Sequence, residues 1–161
     1  MERPGPIHRP DVLAARAGRA SELFDEVIVA LAANSQKTPL FSEAERLRLI
    51  QDALREQLPN RTNIRAGAFK GLLVEYALKE KAVAIVRGLR VLTDFEYEFQ
   101  MALVNRKLAE KIATVFLMPH EQYTYLNSTI VRELARHGSV IESFVPLCVK
   151  KALEARMRDE G

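Results

Sequence analysis

Cysteine is almost missing from this chain: Cys148 is the only one. A single thiol excludes an intramolecular disulfide and any cysteine-based zinc cluster. Cys148 falls in the apolar run Phe144-Val-Pro-Leu-Cys-Val149, so it reads as a small core residue rather than a nucleophile. Long hydrophobic runs are missing too. None approaches the roughly 20 residues of a membrane span, and the opening MERPGPIHRPDVLAAR has no apolar core of the signal-peptide type. A cytoplasmic location with no membrane partner is therefore expected. Charge of one sign is not concentrated anywhere. The formal net charge is +3, and basic residues stand beside acidic ones, as in SEAERLRL from Ser42 to Leu49. That is the pattern of solvated helix faces. Neither a basic stripe nor a nucleic-acid-binding module is present, so an acidic small molecule is the expected ligand and nucleic acid is not.

What remains is a chain of 161 residues, 48% hydrophobic and 28% charged, which suits one globular domain. Short apolar runs alternate with helical patterns. Residues 27–33, VIVALAA, read as a buried strand. Ser42 and Glu45 have capping-box spacing and open a helix to about Leu58, which Pro59-Asn60 ends. A weak strand is expected over 62–66, a helix over 72–80 and a buried strand over 82–86. Asp94 is placed to cap a helix running to about Lys111. ATVFLM, 113–118, reads as another buried strand, followed by a helix capped by Ser128 or Thr129 and a last helix over 146–157. Near-continuous apolar strands alternating with helices predict an α/β fold, a parallel sheet with helices on both faces. Such sheets bind ligands beyond the carboxyl ends of their strands.

Those strand ends carry suggestive residues. Lys37 lies in the polar turn NSQKT, and Gly71-Leu72-Leu73 follows the weak strand. The strand at 82–86 runs into Arg87-Gly88-Leu89-Arg90. Gly88 allows close approach of a phosphate to the backbone, and two guanidinium groups can grip it bidentately. The competing reading is internal ion pairing, because Glu96 and Glu98 follow closely. After Met118, hydroxyls and amides precede a helix start, where backbone N–H groups can receive an anion. Helix capping explains the same residues.

Taken in order, Lys37-Thr-Pro-Leu-Phe41, Phe69-x-Gly-Leu-Leu73, Arg87-Gly-Leu-Arg90 with Asp94-Phe-Glu-Tyr-Glu98, Asn105-Arg106, Thr114 to Pro119 and Tyr123 to Thr129 resemble the phosphopantetheine adenylyltransferase family. The likeness covers about residues 19 to 158. It implies a Rossmann-like nucleotidyltransferase fold, a single domain over 1–161, and transfer of AMP from ATP to 4′-phosphopantetheine. The products would be dephospho-coenzyme A and pyrophosphate, with Mg2+ accompanying ATP, coenzyme A as a feedback ligand and a homohexamer as the assembly. By resemblance Lys37, Leu73 and Arg87 would bind phosphopantetheine. Gly88, Leu89, Arg90, Glu98, Tyr123, Thr124, Tyr125, Leu126, Asn127, Ser128 and Thr129 would contact ATP. No residue is assigned to a metal.

The chain departs from the family at its start. Members begin with a central strand and a motif whose Ser/Thr and His contact ATP. Here no apolar strand precedes Pro4-Gly5, and His8 and Asp11 echo His-x-Asp at the wrong spacing. His8 is a weak candidate for the catalytic histidine. Residues 1–18 are atypical and a candidate for disorder, and Pro6 and Pro10 argue against a strand or helix there. The first strand is thus expected to be degenerate or absent, leaving its neighbours unpaired on one side. A protein that binds phosphopantetheine or coenzyme A with impaired catalysis is the alternative reading.

Overall fold

The computed structural model describes residues 10–33, 40–89, 92–118, 128–137, 141 and 143–159. They form six helices and four strands in the order α1 (Pro10–Ala20), β1 (Val27–Ala32), α2 (Glu43–Gln57), β2 (Ile64–Phe69), α3 (Leu73–Lys79), β3 (Ala84–Gly88), α4 (Leu92–Leu108), β4 (Ala113–Leu117), α5 (Ser128–Arg136) and α6 (Leu147–Asp159). The architecture is α/β, with parallel strands flanked by helices. The chain divides into two compact units.

The first unit carries α1, most of β1, α2, the first part of β2, α5 and α6. Helix α1 was not expected. Pro10 opens it instead of blocking it, because the first helical residue needs no intrahelical N–H partner and takes the φ that the proline ring imposes. Its buried face is made of small residues, Val12, Ala14, Ala17 and Ala20. A Cβ on Gly18 would stand 3.1 Å from Leu58 Cδ2, so a glycine here lets α1 lie close to the end of α2. The capping box of α2 forms as its spacing predicts: Ser42 N–H donates to Glu45 Oε2 at 2.7 Å, and Glu45 N–H donates to Ser42 Oγ at 3.3 Å. Helix α2 buries Ile50, Ala53 and Leu54, one stripe at i, i+3 and i+4. A second core gathers Val131 of α5, Ile141, Val145, and Val149 and Leu153 of α6, with Leu40, Phe41 and Leu49 packed against it.

Strand β2 begins later than expected. The Asn63 amide donates to the carbonyls of Ser21 at 3.0 Å and Phe24 at 3.2 Å, which ties the chain to the α1–β1 turn before the ladder starts. The Val27 N–H donates to the Asn63 carbonyl at 2.9 Å, and the Ala33 N–H to the Phe69 carbonyl at 2.8 Å. Both strands advance six residues between these bonds, so β1 and β2 run parallel.

The second unit carries α3, β3, α4 and β4. Strands β3 and β4 are parallel, in register from Ala84↔Ala113 to Gly88↔Leu117. Pairing with Leu117 carries β3 past its expected end to include Arg87 and Gly88. The core is Val74, Ala77, Ile85, Ala109 and Ile112. Gly71, at φ 87°, turns the chain from β2 toward α3 in a region that side-chain-bearing residues avoid. Helix α4 starts at Leu92, so Asp94 is its third residue and not its cap.

Among the described residues the strands make two two-stranded sheets, β1–β2 and β3–β4, and the segment ahead of β1 is helical. The first strand that the sequence leads one to expect degenerate or absent would precede Pro4-Gly5, which lies outside the described residues. Among the described residues β1 hydrogen-bonds to β2 alone and β3 to β4 alone.

Candidate active site

The carboxyl end of β3 holds the densest set of candidate residues. Arg87 and Gly88 are the last two residues of the strand, and the half-buried Leu89 follows. Placing a glycine and an arginine at a strand end next to a helix start is the arrangement that admits a phosphate in parallel α/β proteins.

Arg87 does not stand alone. Its Nε donates to Glu98 Oε2 at 2.8 Å and its Nη2 donates to Glu98 Oε1 at 2.7 Å. The two parallel bonds match the fork of a guanidinium to a carboxylate. The internal ion pair that the sequence left open therefore forms, and the partner is Glu98; Glu96 is exposed. The side chain of Glu98 is 14% exposed and that of Arg87 39%, so the outer part of the pair belongs to the cation. The hydrogen bonds to Glu98 hold the Arg87 pKa above its ordinary value, against the opposing effect of burial. A guanidinium has five N–H donors and this pair uses two, so Arg87 keeps capacity to bind an anion while it is paired.

Leu73, the first residue of α3, is half-buried and packs on the core of Val74, Ala77 and Ile85. Ser128 and Thr129 are the first two residues of α5, within the turn whose N–H groups lack intrahelical acceptors. Lys37, Arg90, Tyr123, Thr124, Tyr125, Leu126, Asn127 and His8 lie outside the described residues.

A cleft of about 380 Å³ opens elsewhere, lined by Gln51, Leu54, Arg55, Leu58, Arg61 and Arg65 among others. It touches Ile64 at the amino end of β2, opposite to the end where such sheets take ligands. Arg55, Arg61 and Arg65 are paired with Asp52, Glu22 and Glu26. The cleft is therefore not a concentrated anion site.

Reading the residues alone missed the selective pairing of Arg87 with Glu98. The only signal was two acidic residues, nine and eleven positions downstream, of which packing selects one. Cys148 matches its reading as a core residue: it packs against the second core, and burial followed by the bond to Glu56 pushes its thiol to about 11.

A family model described as cytidylyltransferase-like matches residues 14–134. The phosphopantetheine adenylyltransferase of Opitutus terrae is 47% identical over 148 residues, covering 90% of this chain and 86% of that protein. That of Desulforudis audaxviator is 48% identical over 145 residues, covering 89% and 86%. That of Caldanaerobacter subterraneus subsp. tengcongensis is 46% identical over 140 residues, covering 87% and 85%.

Proposed function

Because the chain belongs to the cytidylyltransferase-like family and, within it, to the phosphopantetheine adenylyltransferases, we propose that it transfers AMP from ATP to 4′-phosphopantetheine. A phosphate oxygen of phosphopantetheine attacks the α-phosphorus of ATP. The bond from that phosphorus to the bridging oxygen breaks, and pyrophosphate leaves with dephospho-coenzyme A as product. The reaction needs no covalent nucleophile. The protein's part is to align two phosphorylated substrates and to stabilise charge on the transferring group.

The observation that carries this reading is Arg87 at the carboxyl end of β3, gripped on one edge by Glu98 with donors remaining for a phosphate. In the full assignment Lys37 and Arg87 hold the phosphate of phosphopantetheine and Leu73 lines its arm. Gly88, Leu89, Arg90, Glu98 and Tyr123 to Thr129 contact ATP, all within a single domain. Among the described residues no group of three acidic, histidine or cysteine side chains could hold a metal ion, and Glu98 is committed to Arg87. Magnesium would accompany the phosphates of ATP, its usual mode with nucleotides. The cytoplasm, where ATP and phosphopantetheine meet, is the proposed compartment, and coenzyme A is the proposed feedback ligand.

A homo-oligomer, a hexamer in the family's manner, is part of the proposal. Helix α4 supports it: Phe95, Tyr97, Phe99, Leu103, Val104 and Leu108 are all exposed, more apolar surface than one helix of a monomer ordinarily shows.

Pyrophosphate release from ATP that depends on added phosphopantetheine tests the activity. Folded protein with no turnover above blank would refute it. A second reading, a binder of phosphopantetheine or coenzyme A with impaired catalysis, is favoured by one observation. Among the described residues ahead of β1, which begin with the helix α1, there is no histidine to stand for the one that the resemblance implies. Removing one preorganised charge stabiliser costs about 10²–10³ in rate. Calorimetric binding of phosphopantetheine without turnover would establish this second reading, and wild-type turnover would exclude it.

A further inference from the structure

The fork between Arg87 and Glu98 has a direction. Glu98 is the more buried partner and takes the Nε and Nη2 side of the guanidinium. Among the described residues the donors left over are the two on Nη1 and one on Nη2. An arginine side chain otherwise samples many rotamers, and a planar fork held on one edge has its other edge aimed. The pair also ties the end of β3 to α4, which links the strand end to the helix that follows it.

We propose that Glu98 is a positioning residue for Arg87, holding the guanidinium by one edge so that its remaining donors meet the phosphate of phosphopantetheine. This rests on the assignment of that phosphate to Arg87. Glu98 acts on the phosphopantetheine side through Arg87, beyond any contact it makes with ATP. Its charge has the wrong sign to attract a phosphate, so its two effects oppose each other. As a bare charge Glu98 weakens anion binding at Arg87. As a clamp it strengthens binding of one phosphate in one orientation. The sign of the response to its neutralisation tells the two apart.

Calorimetry with phosphopantetheine on the full chain reads that sign. Glu98→Gln removes the charge and one acceptor, and the expected result is about a 10-fold weaker affinity. Glu96→Gln, which removes the same charge from an exposed neighbour, is expected to leave affinity unchanged. In an Arg87→Lys background, Glu98→Gln is expected to have little further effect, because the fork it serves is gone. Unchanged or tighter binding by Glu98→Gln overturns the proposal. So does an equal loss in the Arg87→Lys background, or a loss confined to ATP binding. Wild-type protein that binds no phosphopantetheine, or Arg87→Ala that binds it as well as wild type, overturns the phosphate assignment itself and this inference with it.

Discussion

Glu56, in the last turn of α2, caps the first turn of α6: its carboxylate accepts the backbone N–H of Leu147 at 2.8 Å and that of Cys148 at 3.1 Å. A helix start leaves N–H groups without acceptors and carries a partial positive charge. Here an acidic residue 91 positions upstream supplies both acceptor and charge.

This cap sets a pH dependence. Partial burial pushes Glu56 up, but the N–H groups of Leu147 and Cys148 together pull it further down, so its folded pKa lies below the ordinary 4.5. A depressed carboxylate stabilises the fold above the unfolded pKa, and that contribution fades as pH falls through the folded value. Glu56→Gln is expected to cost about 1 kcal/mol at pH 7, the worth of a typical cap. Melting curves from pH 7 to pH 3 should show the difference between wild type and Glu56→Gln shrinking below about pH 4.5. A difference that grows on acidification would contradict the sign.

Burial first, and then the same carboxylate, hold Cys148 in its thiol form. With its thiol near 11, about one molecule in a thousand carries a thiolate at pH 8. Alkylation of native protein by iodoacetamide should be far slower than that of protein unfolded in urea. Glu56→Gln should accelerate the native reaction, since a hydrogen bond and a negative charge that hold the proton on are removed. Equal rates for native and unfolded protein would show that the thiol is not suppressed.

The capping box of α2 gives a second local test. Ser42→Ala removes the acceptor for the Glu45 N–H and is expected to lower stability by about 1 kcal/mol. Urea denaturation of wild type and variant measures it through the transition midpoint. Ser42→Asp, which keeps an acceptor at the cap, should recover most of the loss.

Core position separates two leucines of equal size. Leu31 on β1 is fully buried, whereas Leu23 is 63% exposed. Leu31→Ala is expected to cost about 3 kcal/mol through lost burial and a residual cavity. Leu23→Ala should stay within about 0.5 kcal/mol of wild type. Similar costs for the two would contradict the placement of Leu31 in the core.

Most of the helices and strands were legible because their signals are local. The Ser42 and Glu45 spacing, the apolar runs of β1 and β4, and the Pro59-Asn60 stop act over a few neighbouring residues. Errors fell where a distant group intervened. The Asn63 side chain binds carbonyls in the α1–β1 turn and delays β2, and pairing with β4 lengthens β3. Helix α1 is a case of another kind: Pro10 reads as a breaker in the sequence, yet a proline at the first helical residue costs nothing.

For the site, the chemistry on offer is written in the residues: an arginine and a glycine at a strand end, two acidic residues shortly after, and a pattern of motifs that names the family. Packing is what selects Glu98 to take Arg87 in a two-bond fork while Glu96 stays in solvent. It also decided that Glu56 reaches across to α6, and that the described strands pair as two sheets of two. The physical reason is range. A cap or an apolar stripe depends on residues within one or two turns. The choice between two carboxylates two residues apart depends on how α4 is rotated against β3, which packing sets.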